Sequence, residues 1–256
     1  RALIWAPNCP QWVLAFFGAL RAGAIAVPLD VRSAPDFVTR VLESTEPRLA
    51  FISRFTSRSM SGDIPSVHLE ELDQEVAAHS PHPAEVAVEP DDLAEIMFTS
   101  GTTGEPKGVV LTHRNIASNA QAAAAAFPGG ASDRLLSLLP LSHMFEQTGG
   151  LLVPLLFGCR IVYPISRQPS FIFKALQENR ITILLLVPQA LQLFMDGIER
   201  EVERQGKEGL WRAMHRIAPR LPVAARRRLF GSVHKRMGGS IRYFLSGAAY
   251  LDPILD

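Results

Sequence analysis

Apolar residues along this chain come in short continuous runs of about five to eight, and between them lie stretches whose apolar positions recur at helical spacing. "ALIWA" (2–6) leads into "CPQWVLAFFGALRAG" (9–23), where Gly23 supplies a helix stop, and "AIAVPL" (24–29) into "APDFVTRVLEST" (34–45) and "RLAFIS" (48–53). Residues 60–92 are poorer in large apolar side chains and hold four prolines, so the pattern predicts a surface excursion there. "LAEIMFTS" (93–100) and "GVVLTH" (108–113) then read as two strands joined by a loop, followed by the alanine-rich helix "NIASNAQAAAAAF" (115–127) and by Pro128.

The alternation resumes with strand "RLLSLLP" (134–140), apolar helix "MFEQTGGLLVPLLFG" (144–158), strand "RIVYP" (160–164), helix "PSFIFKALQEN" (169–179) and strand "ITILLLVP" (181–188). Helices from "QALQLFMDGIEREVERQ" (189–205) to "AARRRLFGSVHKRMG" (224–238) precede a last strand, "IRYFLSG" (241–247). Continuous apolar strands separated by helices predict mainly parallel sheets covered by helices. The expected fold class is α/β, in two doubly wound subdomains of approximately 1–130 and 131–256, with ligands at the carboxyl ends of strands.

Composition narrows the function classes. With 26 Lys+Arg against 25 Asp+Glu the chain is near neutral, so no broad field favours nucleic acid as a partner. Cys9 and Cys159 form neither a CxxC pair nor a disulfide framework, which fits a reducing cytoplasm. No run reaches the roughly 18 apolar residues of a membrane span. The chain opens on "RALIWAPNCP" without an initiator Met or a signal pattern and stops at "YLDPILD", so it reads as a segment of a longer protein.

The chemistry concentrates in "MFTSGTTGEPKGVVLTH" (97–113). Glycines let backbone amides approach an anion, hydroxyls add donors, and a lysine adds a mobile point charge, a set that suits a polyphosphate. It is not a Walker loop: Pro106 precedes Lys107, Gly108 follows it, and a strand rather than a helix comes next.

"FTSGTTGEPKGVVLTHRNI" (98–116) resembles the signature of the adenylate-forming superfamily, which comprises acyl-CoA synthetases, adenylation domains of peptide synthetases and luciferases. The resemblance runs on through "GALRAGAIAVPLD" (18–30), "LPLSHMFEQTGGLLVPLLFGCRIVY" (139–163) and "FLSGAA" (244–249), in family order. "LPLSHMFE" with "VPQALQLFMDGIEREVERQGK" (187–207) is most similar to long-chain acyl-CoA synthetases. The implied reaction joins a fatty acid to ATP as an acyl-adenylate and then to coenzyme A.

The resemblance places Thr99, Ser100, Gly101, Thr102, Thr103, Gly104 and Lys107 around the ATP phosphates. It puts His143 near the acyl group and the α-phosphate, with Lys107 and His143 as the catalytic pair. Ser246, Gly247, Ala248 and Ala249 become the wall against which adenine lies. The implied cofactor set is ATP, Mg2+ and coenzyme A. No metal ligand is assigned in this chain, because the family segments of "YGxTE" and "TGD" type, and the small C-terminal domain with its adenylation lysine, have no match here. The expected parent is therefore an enzyme and the isolated segment inactive; the rival readings are a non-catalytic binding protein of the same fold and an adenylating enzyme for another carboxylic acid.

Three further stretches carry weaker signals. Glu146 reads as a carboxylate in a helical first turn, where the helix dipole favours it, in preference to a place on the acyl-site rim. Gly149 and Gly150 either leave room for an acyl chain or serve core packing. Arg226, Arg227, Arg228, Lys235 and Arg236 form either a solvated helix face or a peripheral contact with an anionic inner membrane surface.

Overall fold

The computed structural model of the chain describes residues 1–60, 63–80, 82, 85–100, 106–127 and 129–250. Strand β1 (Ala2–Trp5) is buried at all four positions and occupies an inner place in a six-stranded sheet. From there the chain winds both ways. On one side lie β2 (Ala26–Pro28), β5 (Leu93–Ser100) and β6 (Pro106–Thr112); on the other lie β3 (Leu49–Ile52) and β4 (Ser66–His68). All pairings are parallel except the antiparallel β5–β6 hairpin at one edge.

Helix α1 (Pro10–Arg21) follows β1 because Pro10 presets the first turn, and Trp12, Ala15, Phe16 and Ala19 recur on one buried stripe. Gly23, at φ 70°, ends that segment. Helix α2 (Pro35–Thr45) buries Val38, Val41 and Leu42, which join Leu3, Trp5, Val27, Ala50 and Ile52 in the core of this sheet.

The expected surface excursion at 60–92 is corrected in part. It contains β4, paired in parallel with β3 from Ala50↔Ser66 to Ile52↔His68, and a short helix α3 (Leu72–Ala77). Two leucines suffice to seat it: Leu69 and Leu72, three residues apart, are buried.

Helix α4 (His113–Ala126) begins with a reciprocal cap. Thr112 Oγ1 accepts from the Asn115 amide at 3.1 Å and Asn115 Oδ1 from the Thr112 amide at 3.0 Å.

The second sheet is four-stranded and wholly parallel, in the order β10 (Tyr243–Ser246), β9 (Ile183–Leu186), β7 (Arg134–Leu136), β8 (Arg160–Val162). Before β8 runs a helix in three parts, α5 (Met144–Glu146), a π-helical stretch Gln147–Leu152 and α6 (Val153–Leu156). Helix α7 (Pro169–Glu178) contributes Ala175 and Leu176 to a core with Leu136, Leu184, Leu186, Met237 and Ile241. Helices α8 (Pro188–Arg204), α9 (Glu208–Ile217), α10 (Val223–Leu229) and α11 (Gly231–Arg236) complete this part.

The chain divides into two compact units, Arg1–Phe127 with Pro140–Val153, and Pro128–Leu139 with Pro154–Asp256. Residues 140–153, which the sequence pattern groups with the second half, cluster with the first unit. Their polar side chains account for this: Gln147 bonds Glu95 and Thr148 bonds Asn119, so the π-helical stretch is tied to β5 and α4.

Candidate active site

The glycine and hydroxyl run lies in sequence between β5 and β6, whose antiparallel register pairs Phe98 with Gly108, Thr99 with Lys107 and Ser100 with Pro106. Gly101, Thr102, Thr103 and Gly104 lie outside the described residues. Directly opposed residues of an antiparallel pair share a face, so exposed Thr99 and exposed Lys107 stand side by side, near the end of β5 and the start of β6. Gly108 has a packing reason: a Cβ there would come within 2.9 Å of Ile96 Cγ2 and 3.3 Å of Phe98 Cε1.

Two strand periods before Thr99, on the same face, stands Glu95, a carboxylate with no exposed surface in an otherwise apolar strand. Its Oε1 accepts from Gln147 Nε2 at 2.7 Å. Burial pushes the Glu95 carboxyl up to about 7, against the opposing pull of the Gln147 hydrogen bond. Glu95 Oε2 and Gln147 Oε1 have no hydrogen-bond partner among the described residues. A proton on Glu95 supplies the donor that this acid and amide pair lacks.

His143 occupies the N-cap position of α5 and is fixed through the loop before it. The Leu141 amide donates to Asn8 Oδ1 at 3.0 Å, the His143 amide to the Pro140 carbonyl at 3.0 Å, and the Gln147 amide to the His143 carbonyl at 2.9 Å. The imidazole Nε2 lies 3.5 Å from Asp30 Oδ2. Asp30 follows the carboxyl end of β2, and its carboxylate also takes Arg32 Nη2 at 2.9 Å. Burial raises the Asp30 carboxyl, but hydrogen bonds from His143 and Arg32 outweigh it and hold the group well below the usual carboxylate range.

Glu146 lies in the first turn of α5, as the pattern implies, and is fully buried there. Gly150 is small for its sake, since a Cβ there would meet Glu146 Oε1 at 2.5 Å. The space at Gly150 is thus taken by a carboxylate and not left for an acyl chain.

Ser246 ends β10, paired with Leu186 of β9 in the second unit, and Gly247, Ala248 and Ala249 follow it. Ala248 adopts φ 65°, a left-handed conformation that costs a non-glycine residue on the order of 1 kcal/mol. The first unit therefore carries Thr99, Lys107 and His143, and the second carries Ser246 to Ala249.

The sequence pattern missed Asp30, Glu95 and Gln147. Glu95 had a signal, an acid inside the apolar run "LAEIMF", and so had Asp30, the first charge after "AIAVPL". Gln147 had none. Among the described residues no group of three His, Cys, Asp or Glu is placed to hold a metal ion.

The chain matches the family described as AMP-binding enzyme over residues 1–255. Curated relatives include a ligase of Rhodococcus jostii, 3-[(3aS,4S,7aS)-7a-methyl-1,5-dioxo-octahydro-1H-inden-4-yl]propanoyl:CoA ligase. It is 29% identical over 227 residues, 77% of this chain and 44% of the relative. Another is the peroxisomal long chain acyl-CoA synthetase 6 of Arabidopsis thaliana, 27% identical over 96% of this chain and 40% of its own length. The chain thus spans less than half the length of these relatives. Among solved structures, the inhibitor-bound N-terminal domain of FACL13 from Mycobacterium tuberculosis superposes with a TM-score of 0.76. It is 23% identical, and the match covers all of this chain and 58% of that one, a likeness of fold. With its signature hairpin, its mainly parallel sheets and the family match over nearly its whole length, the chain belongs to the AMP-binding enzyme family.

Proposed function

We propose that a protein carrying this chain activates a carboxylic acid with ATP and passes the acyl group to coenzyme A, with a medium to long aliphatic acid as substrate. In the first step a carboxylate oxygen attacks the α-phosphorus, the bond to the bridging oxygen breaks, and pyrophosphate leaves. In the second, the coenzyme A sulfur attacks the acyl carbon and AMP leaves. Magnesium, when bound with the nucleotide, supplies charge neutralisation on the phosphates.

The observation that carries this reading is the opposition of Thr99 and Lys107 where the glycine and hydroxyl run begins and ends. Lys107 supplies the point charge for the departing pyrophosphate, while Thr99, Ser100, Gly101, Thr102, Thr103 and Gly104 supply hydroxyl and backbone donors. His143 stands beside the reacting carboxylate and α-phosphate, and Ser246, Gly247, Ala248 and Ala249 form the adenine wall. The aliphatic preference is supported by the "LPLSHMFE" stretch and by the long chain acyl-CoA synthetase among the relatives.

ATP–pyrophosphate exchange tests the assignment of Lys107. Its side chain is exposed and packs little, so Lys107→Ala loses one charged phosphate contact, about 1.5 to 3 kcal/mol, without loss of fold. Exchange at the parental rate in the variant contradicts the assignment.

A second observation favours contact with an anionic membrane surface on the cytoplasmic side. Residues 207–242 hold ten Lys and Arg against one Glu, beside exposed Leu210, Ile217 and Val223. Among the described residues no helix is long and apolar enough to cross a membrane. Salt-sensitive co-sedimentation with phosphatidylserine vesicles, absent with neutral vesicles, is the expected result; equal recovery with both kinds contradicts it.

A further inference from the structure

The carboxylate of Asp30 meets the imidazole of His143 at 3.5 Å between Oδ2 and Nε2. This is no chance encounter of two mobile groups, because Asp30 is fixed from several directions. Its carbonyl accepts from Trp5 Nε1 at 3.0 Å and from the Ser33 amide at 2.9 Å, closing a turn at the carboxyl end of β2. Its Oδ1 accepts from the Arg32 amide at 2.9 Å, and the Arg32 guanidinium reaches the same carboxylate with Nε at 3.3 Å and Nη2 at 2.9 Å. The Asp30 side chain is 14% exposed, while that of His143 is 56% exposed. A sheltered, oriented carboxylate therefore stands behind an accessible imidazole.

We propose that Asp30 is a positioning residue: it holds the His143 ring through Nε2, sets that nitrogen as the proton-bearing one, and leaves the ring oriented for the acyl-phosphate centre. The proposal rests on the reading of His143 as a group that touches the reacting carboxylate. The physical basis is that a carboxylate on one imidazole nitrogen selects the tautomer and the orientation and stabilises positive charge on the ring. Arg32 shares the carboxylate but does not replace the ring, because Oδ2 serves both.

The experiment is a double-mutant cycle on acid-dependent ATP–pyrophosphate exchange in a protein carrying this chain. Asn at position 30 preserves the side-chain oxygen that accepts from the Arg32 amide, so the turn is retained. Asp30→Asn is expected to lower kcat about tenfold, within the coupling expected of residues in contact, with the KM for ATP changed less than about twofold. In a His143→Ala background the same substitution is expected to change kcat less than about twofold.

Equal losses in both backgrounds overturn the proposal, since Asp30 then acts through Arg32 or the turn. A silent Asp30→Asn beside an impaired His143→Ala overturns it and leaves the role of His143 standing. A silent His143→Ala overturns both. If Asp30→Asn fails to fold, ring 15N shifts of His143 in the unsubstituted protein decide: a proton on Nε2 of the neutral ring supports the proposal, and a proton on Nδ1 alone contradicts it.

Discussion

Glu95 shows how one buried side chain sets a property of the whole fold. Its carboxyl titrates at about 7 where the ordinary value is 4.5, so between those two pH values the folded chain keeps a proton that the unfolded chain has released. Stability from this group is therefore lost as pH rises through that window, and the loss is complete above about 7. At about 1.4 kcal/mol for each pH unit, the gap corresponds to a cost on the order of 3 kcal/mol at pH 8. Glu95→Gln keeps an oxygen to accept from Gln147 Nε2 and adds a donor without the charge. The expected outcome is a variant of nearly parental stability at pH 4.5 and more stable by on the order of 3 kcal/mol at pH 8, read from urea unfolding midpoints. A variant less stable at pH 8, or a difference that ignores pH, contradicts the assignment of a buried protonated acid. The run from Thr99 to Lys107 stood out in the sequence because its residues are contiguous. The Glu95–Gln147 contact joins residues 52 apart and did not.

At the scale of elements, strands and helices were legible wherever an apolar run ended in a glycine or opened on a proline, as α1, α2 and α7 do. The register of the β5–β6 hairpin was not, because no residue of "LAEIMFTS" names its partner. Nor was the π-helical stretch, which arises where Glu146 and Gln147 are both drawn inward past Gly150. Gly238, at φ 85°, ends α11 against α7, where a Cβ would stand 2.5 Å from the Leu176 carbonyl oxygen. Gly206 has φ 64° but open space around it. Gly238→Ala should cost roughly 2 to 4 kcal/mol from strain and overpacking together. Gly206→Ala should cost only the strain, about 1 kcal/mol. Equal unfolding midpoints for the two variants contradict the packing of α11 on α7.

For the whole molecule, the α/β class followed from the alternation of short apolar runs with helical stretches, and both sheets are mainly parallel as that pattern implies. The return of residues 140–153 to the first unit did not follow, since it depends on the bonds of Gln147 and Thr148. Carboxylate-dependent ATP–pyrophosphate exchange by a protein carrying this chain, with acetate, octanoate, palmitate, benzoate and an amino acid as substrates, decides whether it adenylates an aliphatic acid. The expected exchange requires an acid and climbs about threefold to fourfold for each added methylene, at roughly 0.8 kcal/mol apiece, until the acyl site is filled. A best acid of two carbons, or an amino acid, contradicts the aliphatic assignment, and ATP binding with no exchange for any acid contradicts the adenylating function itself.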